Sequence, residues 1–315
     1  MSTVWSKEIQ SSEILYYSRL SRFNNYNKDE WFNLLQIKDG MKILEVGCGP
    51  GHFTNMIKKH FPNCEVYGVD LDSGHIEFAK EKANQLNLSV NYSVEDVTKL
   101  PFNDETFDIV YSHTLVEHLP FEFFITDQKR VLKTDGKLIF INVDGKRKHV
   151  NNFEYNDKEI NDIYNQLEIE DDKYSVGQYI QNPQSFLLNL YNFGFKNPNV
   201  KFKEIMFYFP YQCDSIEEGK SQIKNQEIDE LYNAKFILGK AKNRDLFEEK
   251  LITLIQQKYA ERLKLFMENK PVFDHESTFI NVYCGTKWFL INIKNQLLIF
   301  EVIPAGFTSF FKLVF

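Results

Sequence analysis

Residues 43–54 read Ile-Leu-Glu-Val-Gly-Cys-Gly-Pro-Gly-His-Phe-Thr, and this stretch decides the fold of the chain. A short apolar run with β-branched residues ends in three alternating glycines, and a helical pattern follows at once. Glycine lets the backbone turn sharply and leaves room for a ligand beside the main chain. A strand, a glycine-rich turn and a helix N-terminus together build a pocket for nucleotide-type cofactors. We therefore expect a nucleoside-containing ligand at this turn.

The spacing of the glycines narrows the choice of ligand. They occupy positions Gly47, Gly49 and Gly51. The dinucleotide fingerprint would need its third glycine at position 52, where this chain has His52. The turn therefore argues against NAD.

Strand-like and helical patterns alternate after the glycine turn. The predicted strands are residues 42–46, 65–70, 88–93, 107–112 and 137–142. This alternation predicts an α/β fold, with a parallel sheet and helices on both of its faces. Ligands of such sheets bind beyond the carboxyl ends of the strands. The glycine turn, Asp70, Asp96 and Ser112 all fall at those ends.

Four of these segments, in this order and spacing, resemble the motifs of class I S-adenosylmethionine-dependent methyltransferases. They are residues 43–54, 65–70, 93–110 and 131–138. The nearest branch is the ubiquinone/menaquinone type, which mostly modifies small molecules, and the match is dense over residues 40–145. The resemblance implies a Rossmann-like, seven-stranded, mostly parallel sheet with helices on both faces and an inserted helical cap. It also implies a sixth strand at 200–209 and a last strand at 279–286.

The resemblance also implies the cofactor and its binding residues. In the family, the acid matching Glu45 organises the turn and the methionyl amine, and the acid matching Asp70 holds the ribose hydroxyls. Asp96 best matches the residue that meets the adenine amino group, with Glu95 as the alternative. The implied S-adenosyl-L-methionine-binding residues are Glu45, Gly47, Cys48, Gly49, Gly51, Asp70, Leu71, Asp96, Val97 and Ser112. A structural alternative stays open for each acid. For Asp70 it is a helix N-cap, although Asp72 or Ser73 could supply that cap instead.

Two histidines follow the fourth predicted strand, where the methyl group should project. His113 and His118 are the candidate catalytic residues, because histidine titrates near neutral pH. A base is needed only if the acceptor must lose a proton. The structural alternative is that both histidines form hydrogen bonds in the pocket wall and have no catalytic role. The pattern Leu-Val-Glu-His-Leu at residues 115–119 is common in the family without a catalytic histidine.

The expected domain organisation is one core with additions. We expect residues 1–35 to form a helical cap over the cofactor site and residues 36–288 to form the methyltransferase core. Cap insertions are expected near 145–182 and 211–240. Residues 289–315 are an apolar C-terminal tail of unknown role, too interrupted by charges, proline and glycine to span a bilayer.

Residues 154–172 are rich in acids. Such a run is typical of a solvated face or a mobile segment that buries little apolar area. Its position after strand five is where the family often places a substrate lid, so a lid is the functional alternative.

Bulk properties exclude several classes of partner. The formal charge of the 315-residue chain is −7, which gives no electrostatic footprint for nucleic acid. The four cysteines lie far apart and predict neither a zinc site nor a disulfide framework. Asp144 and Asn142 alone are too few ligands to predict a metal site. The sequence shows no signal pattern and no membrane span, so the cytoplasm is the default location.

The sequence therefore predicts a methyltransferase that uses S-adenosylmethionine to modify a small-molecule substrate. The alternatives are a protein or RNA methyltransferase with the same core, or a non-catalytic cofactor-binding protein. The acceptor, the methylated atom and the oligomeric state do not follow from the sequence.

Overall fold

The computed structural model describes residues 5–148, 157–169, 178–205, 208–209, 213–270, 272–273 and 276–287. The strands are β1 (Lys42–Val46), β2 (Glu65–Asp70), β3 (Asn91–Val94), β4 (Phe107–His113), β5 (Leu132–Lys148), β6 (Phe195–Ile205), β7 (Tyr208–Phe209), β8 (Val272–Phe273) and β9 (Glu276–Lys287). The helices are α1 (Ser12–Arg22), α2 (Lys28–Leu35), α3 (His52–His60), α4 (Ser73–Gln85), α5 (Phe121–Val131), α6 (Asp157–Gln166), α7 (Pro183–Asn192), α8 (Ile216–Gly239) and α9 (Glu248–Met267).

Seven strands form one sheet in the order β3-β2-β1-β4-β5-β9-β6. The first five pair in parallel, whereas β9 runs antiparallel to both of its neighbours. The register places Val46 of β1 beside Val69 on one side and Ser112 on the other. The prediction of a seven-stranded, mostly parallel sheet is therefore confirmed, and the carboxyl ends of its central strands lie level.

Several predicted strand boundaries differ from the observed ones, and the last strand spans Glu276–Lys287 rather than 279–286. The third strand begins at Asn91 rather than 88, because Asn87 is left-handed (φ 54°) and the Leu88 N–H still bonds to Ala83 at the end of α4. The fifth strand is longer than predicted because it pairs with β9 over nearly its whole length. The sixth begins at Phe195 and ends at Ile205.

The two faces of the sheet bury different sets of helices. Along β4, Ile109 and Tyr111 face one cluster and Val110 faces the other, as period-two alternation requires. The first cluster includes Phe23, Trp31 of α2 and Phe53 of α3; the second includes Phe124 of α5, Phe140 and Phe186 of α7. This confirms the expected layering of helices on both faces.

A third apolar cluster joins α6, α8 and α9 outside the sheet. Ile160, Ile163 and Leu167 fall on one side of α6 and its C-terminal end, and all three are buried. The acids of this part, Glu159, Asp162 and Glu168, are exposed, as expected for a solvated face, while helical spacing gathers its few apolar side chains on the opposite, buried face. Residues 154–156 and 170–172 lie outside the described residues, and the role of a lid stays a prediction.

The N-terminal segment lies against the carboxyl ends of the sheet strands. Helix α1 contacts α3, α4 and α8, and the Ser12 hydroxyl lies 2.8 Å from Nδ1 of His75. The predicted tail, residues 289–315, lies outside the described residues. Within the part that is described, none of the helices combines the length and apolarity needed to cross a bilayer.

A substitution at Gly51 tests whether the glycine turn is constrained by its backbone conformation and by close packing. Its φ is 73°, and an added Cβ would meet the Tyr92 hydroxyl and lie 2.8 Å from the Ala79 Cβ. Gly51→Ala should lower the free energy of unfolding by about 3 kcal/mol, because left-handed strain and overpacking add together. Urea denaturation measures this loss.

Gly40→Ala is the matched control. Gly40 is also left-handed (φ 81°), but nothing lies within 4 Å of the added Cβ. The control should lose only about 1 kcal/mol from backbone strain. Equal losses in the two variants would show that close packing does not constrain the turn.

Candidate active site

The glycine turn connects β1 to α3 through three left-handed residues. The φ angles of Gly47, Gly49 and Gly51 are 69°, 52° and 73°. The Cys48 N–H donates to the Val69 carbonyl at 2.9 Å, which holds the turn against β2. Cys48 itself is buried, and burial raises the pKa of its thiol well above the ordinary value. The side chain therefore packs as a small apolar group.

Asp70 lies at the end of β2 and is joined to the turn. Its Oδ2 accepts a hydrogen bond from the Gly49 N–H, and its Oδ1 accepts one from the Asp72 N–H, both at 2.9 Å. Burial raises the pKa of this carboxyl. Each carboxylate oxygen can accept a second hydrogen bond, so the group can still bind a diol. Asp72, rather than Asp70, caps α4 by accepting from the N–H groups of Gly74 and His75.

Glu45 is a buried carboxyl under the turn, with 3% of its surface exposed. Its Oε2 accepts hydrogen bonds from the Tyr111 hydroxyl at 2.8 Å and from the Thr54 hydroxyl. Burial raises its pKa to about 7, although these hydrogen bonds and the nearby Arg19 oppose the rise. A cation placed beside Glu45 would lower that pKa and ionise it. The residue therefore fits an amine ligand.

Ser112 lies at the end of β4, opposite Val46. The residue is 1% exposed, and its Oγ has no hydrogen-bond partner. A buried hydroxyl without a partner costs free energy, and a ligand that supplies a partner recovers it. The cofactor-binding prediction for this residue therefore has a physical basis.

The predicted adenine residues follow β2 and β3. Leu71 is 52% exposed and Val97 is buried, with its carbonyl accepting a hydrogen bond from Gln128. The exposed Asp96 accepts from both the N–H and the hydroxyl of Thr98, at 2.8 and 2.7 Å. Asp96 therefore stabilises its own turn, as the structural alternative holds, and its contact with adenine stays a prediction.

His113 is held neutral. Its Nε2 lies 2.8 Å from Nη1 of Arg22, and a guanidinium can only donate, so Nε2 must accept. The ring packs edge-on against Phe23 at 4.9 Å, and burial lowers its pKa well below the ordinary value. His118 packs edge-on against Trp5 at 4.7 Å, and burial lowers its pKa too. Both contacts match the interpretation as a pocket wall; a catalytic role stays a prediction.

Sequence reasoning missed two arginines of α1. Arg19 donates to the Thr114 hydroxyl at 2.9 Å, one residue beyond the residue that Arg22 contacts. Burial lowers the pKa of Arg19 to about 10, and burial together with Arg19 lowers that of Arg22 to about 9. The available signal was two arginines three residues apart on one helix. They place positive charge over the end of β4.

Beside this site a small cavity of about 20 Å³ lies where β5 pairs with β9, next to the loop after β4. It is lined by Val116, Glu117, Asn142, Val143, Asp144, Tyr179, Ile180, Gln181, Phe186, Asn281 and Tyr283. Sequence reasoning considered Asn142 and Asp144 only as metal ligands. No group of three or more metal-ligating side chains is found among the residues that the structure describes.

The raised pKa of Glu45 predicts a dependence of stability on pH. Between about pH 4.5 and 7 the folded chain binds more protons at Glu45 than the unfolded chain does, so stability falls as the pH rises. The free energy of unfolding should fall by about 3 kcal/mol across that range, and Glu45→Gln should abolish this fall. Urea denaturation at several pH values measures it.

Glu65→Gln is the control for Glu45. Glu65 is an exposed carboxyl on β2, and the hydrogen bond from Lys42 lowers its pKa rather than raising it. In this variant the free energy of unfolding should still fall between pH 4.5 and 7, as it does in the wild-type protein. If Glu45→Gln also keeps that fall, the Glu45 carboxyl does not titrate near neutral pH.

Comparison with known proteins supports the geometry. Residues 44–140 match a family described as methyltransferase domain. Phosphoethanolamine N-methyltransferase 3 of Arabidopsis thaliana is 36% identical over 118 residues, which is 36% of this chain and 24% of that protein. Ubiquinone biosynthesis O-methyltransferase of Coxiella burnetii is 35% identical over 102 residues, 32% of this chain and 43% of that protein.

A longer match is pavine N-methyltransferase of Thalictrum flavum subsp. glaucum, 26% identical over 204 residues, 61% of this chain and 55% of that protein. The chain thus spans less than two thirds of each of these relatives. Among solved structures, Haemonchus contortus phosphoethanolamine N-methyltransferase 2 in complex with S-adenosyl-L-methionine superposes with a TM-score of 0.52. The identity is 17%, over 91% of this chain and 59% of that one, so this likeness shows the fold alone.

The strand order with a single antiparallel member, the glycine turn bonded to Asp70 and the matching domain over residues 44–140 agree with one another. Residues 44–140 of this chain therefore match a methyltransferase domain in sequence, and the sheet around them has the fold of solved methyltransferases.

Proposed function

We propose that this protein transfers a methyl group from S-adenosylmethionine to a small-molecule acceptor. The observation that carries the proposal is the glycine turn, whose Gly49 N–H donates to the Asp70 carboxylate at 2.9 Å. That bond places an acid with spare acceptor capacity beside a backbone that a ligand can approach closely. The names of the three sequence relatives refer to phosphoethanolamine, ubiquinone biosynthesis and pavine, all of them small molecules.

The residues of the site fit the parts of this cofactor. Asp70 would hold the ribose hydroxyls, Glu45 the methionyl amine, and Leu71 with Asp96 and Val97 the adenine. The Ser112 hydroxyl, buried without a partner, would gain one. The cofactor supplies an activated methyl group, and the protein supplies binding and orientation.

The pocket beside the cofactor residues is the proposed acceptor site. Its lining combines aromatic side chains with a few polar groups, as small-molecule sites do. For an acceptor that must lose a proton, His113 and His118 stay the candidate bases. We propose that α6 and α8, which lie in the insertions expected from the sequence, act with α9 as a cap, with α1 over the cofactor.

The alternative functions have less support. The net charge of −7 disfavours an RNA substrate. The retained Glu45, glycine turn and Asp70 weigh against a site that has lost the cofactor. The cytoplasmic location expected from the sequence stays a prediction.

Cofactor choice is tested by calorimetry. The protein should bind S-adenosylhomocysteine and should give no heat with NAD, because His52 occupies the place of the third dinucleotide glycine. Binding of NAD without any response to S-adenosylhomocysteine would overturn the proposal.

Asp70→Ala should weaken the binding of S-adenosylhomocysteine by about 1.5–3 kcal/mol, roughly a 10- to 150-fold rise in Kd. The reason is the loss of hydrogen bonds from the ribose to a charged acceptor. Circular dichroism should show a folded variant, since Asp70 lies at a strand end.

The control for Asp70 is Asp104→Ala. The side chain of Asp104 is 74% exposed and pairs with Arg130, outside the proposed site. The Kd of Asp104→Ala for S-adenosylhomocysteine should equal that of the wild-type protein. A folded Asp70→Ala variant with an unchanged Kd would remove Asp70 from the ribose site.

A further inference from the structure

Two asparagines on neighbouring strands lie side by side and line the proposed acceptor pocket. Asn142 of β5 pairs in register with Asn281 of β9. The Oδ1 atoms of both are buried and have no hydrogen-bond partner. Asn281 is 2% exposed, and its amide nitrogen donates to the Tyr283 hydroxyl at 3.1 Å. Two buried carbonyl oxygens therefore lack donors, a state that costs about 1–3 kcal/mol for each group.

Asp144, an exposed acid, lies at an irregularity in the sheet two residues after Asn142. Val143 pairs with Ile280 and Gly145 pairs with Phe279, so Asp144 is an extra residue on β5. Bulges of this kind occur beside active sites, where they re-aim a side chain. The Asp144 side chain lines the pocket.

Glu117 supplies a second carboxylate. It lies in a short 3-10 helix after β4 and also lines the pocket. Neither carboxylate makes a hydrogen bond or ion pair with any residue in the described part of the chain. Arg19 and Arg22 of α1 act on Glu117 at longer range, and Arg19 also acts on Glu45.

Three of the seven remaining lining residues are aromatic. Tyr179, Phe186 and Tyr283 line the pocket, and the rings of Phe186 and Tyr283 stack at 4.2 Å. Aromatic faces attract cations through their quadrupole. Among the described residues, the lining contains two acids and no lysine, arginine or histidine. The unpaired amide oxygens, the two acids and the aromatic rings favour a positively charged ligand that donates hydrogen bonds.

We propose that the methyl acceptor carries a protonated amine and that this pocket binds it. An ammonium group offers several N–H donors to the amide oxygens and one positive charge to the two carboxylates. A neutral hydroxyl would offer one donor and leave both carboxylates unpaired. This inference rests on the proposed function and specifies the substrate class of the same site.

A matched pair of probes tests the inference in the full-length protein saturated with S-adenosylhomocysteine. The probes are 2-phenylethylamine and 2-phenylethanol, which differ in charge and in donor number but have similar shape. Calorimetry should give the amine about tenfold higher affinity, as expected for partial desolvation of a favourable charge pair.

Three variants identify the groups responsible. The double variant Glu117→Gln with Asp144→Asn should reduce the preference for the amine to about threefold or less, because it removes both charges with little change of shape. Asn142→Leu, which removes one amide oxygen, should weaken amine binding more than alcohol binding. The control Asp135→Asn alters an exposed acid of β5 that pairs with Lys196, and it should keep the preference.

The outcomes separate this inference from the proposed function. Equal affinities for the two probes, no binding of the amine, or an unchanged preference in the double variant would overturn the inference. In each of those cases S-adenosylhomocysteine would still bind. Failure of S-adenosylhomocysteine to bind the wild-type protein would instead overturn the proposed methyltransferase activity.

Discussion

The carboxylate of Asp70 is the constraint on which the site depends. It accepts hydrogen bonds from the backbone of Gly49 and of Asp72, and so ties the glycine turn to the end of β2. Asp72 in turn caps α4 and accepts hydrogen bonds from the backbone N–H and the hydroxyl of Ser6, in the N-terminal segment. One half-buried acid therefore fixes the turn, helps to set the start of a helix and, through that helix, connects to the segment that lies above the sheet.

The electrostatics of the site follow from which charges are buried together. Arg19 and Arg22 lie above the end of β4, and Arg19 contributes to the lowered pKa of Arg22. Burial raises the pKa of both Glu45 and Glu117, while Arg19 opposes this rise at both carboxyls and Arg22 opposes it at Glu117. A zwitterionic ligand such as the methionyl part of the cofactor can compensate both signs at once. A charged ligand therefore gains more from this site than from an exposed surface.

The long antiparallel pairing of β5 with β9 brings together a second group of polar residues, on strands other than those that carry the glycine turn. Because the pairing extends through the bulge at Asp144, this residue and the two asparagines line one pocket. The helices α6, α8 and α9 pack among themselves through their own apolar cluster, and α8 packs against α1. The glycine turn and this pocket are therefore built from different strands, but the loop after β4 contacts both.

The sequence by itself determined the sheet, the glycine turn, Asp70 and Glu45, because period-two and helical patterns and glycine spacing are local properties of the chain. It did not determine the partners of His113, the charge that Arg19 and Arg22 place over β4, or the pairing of Asn142 with Asn281. Residues 142 and 281 are neighbours only through the register of β9. Likewise, α6 is buried only because α8 and α9 supply an apolar face for it. These contacts join residues far apart in sequence, so only the tertiary structure decided them.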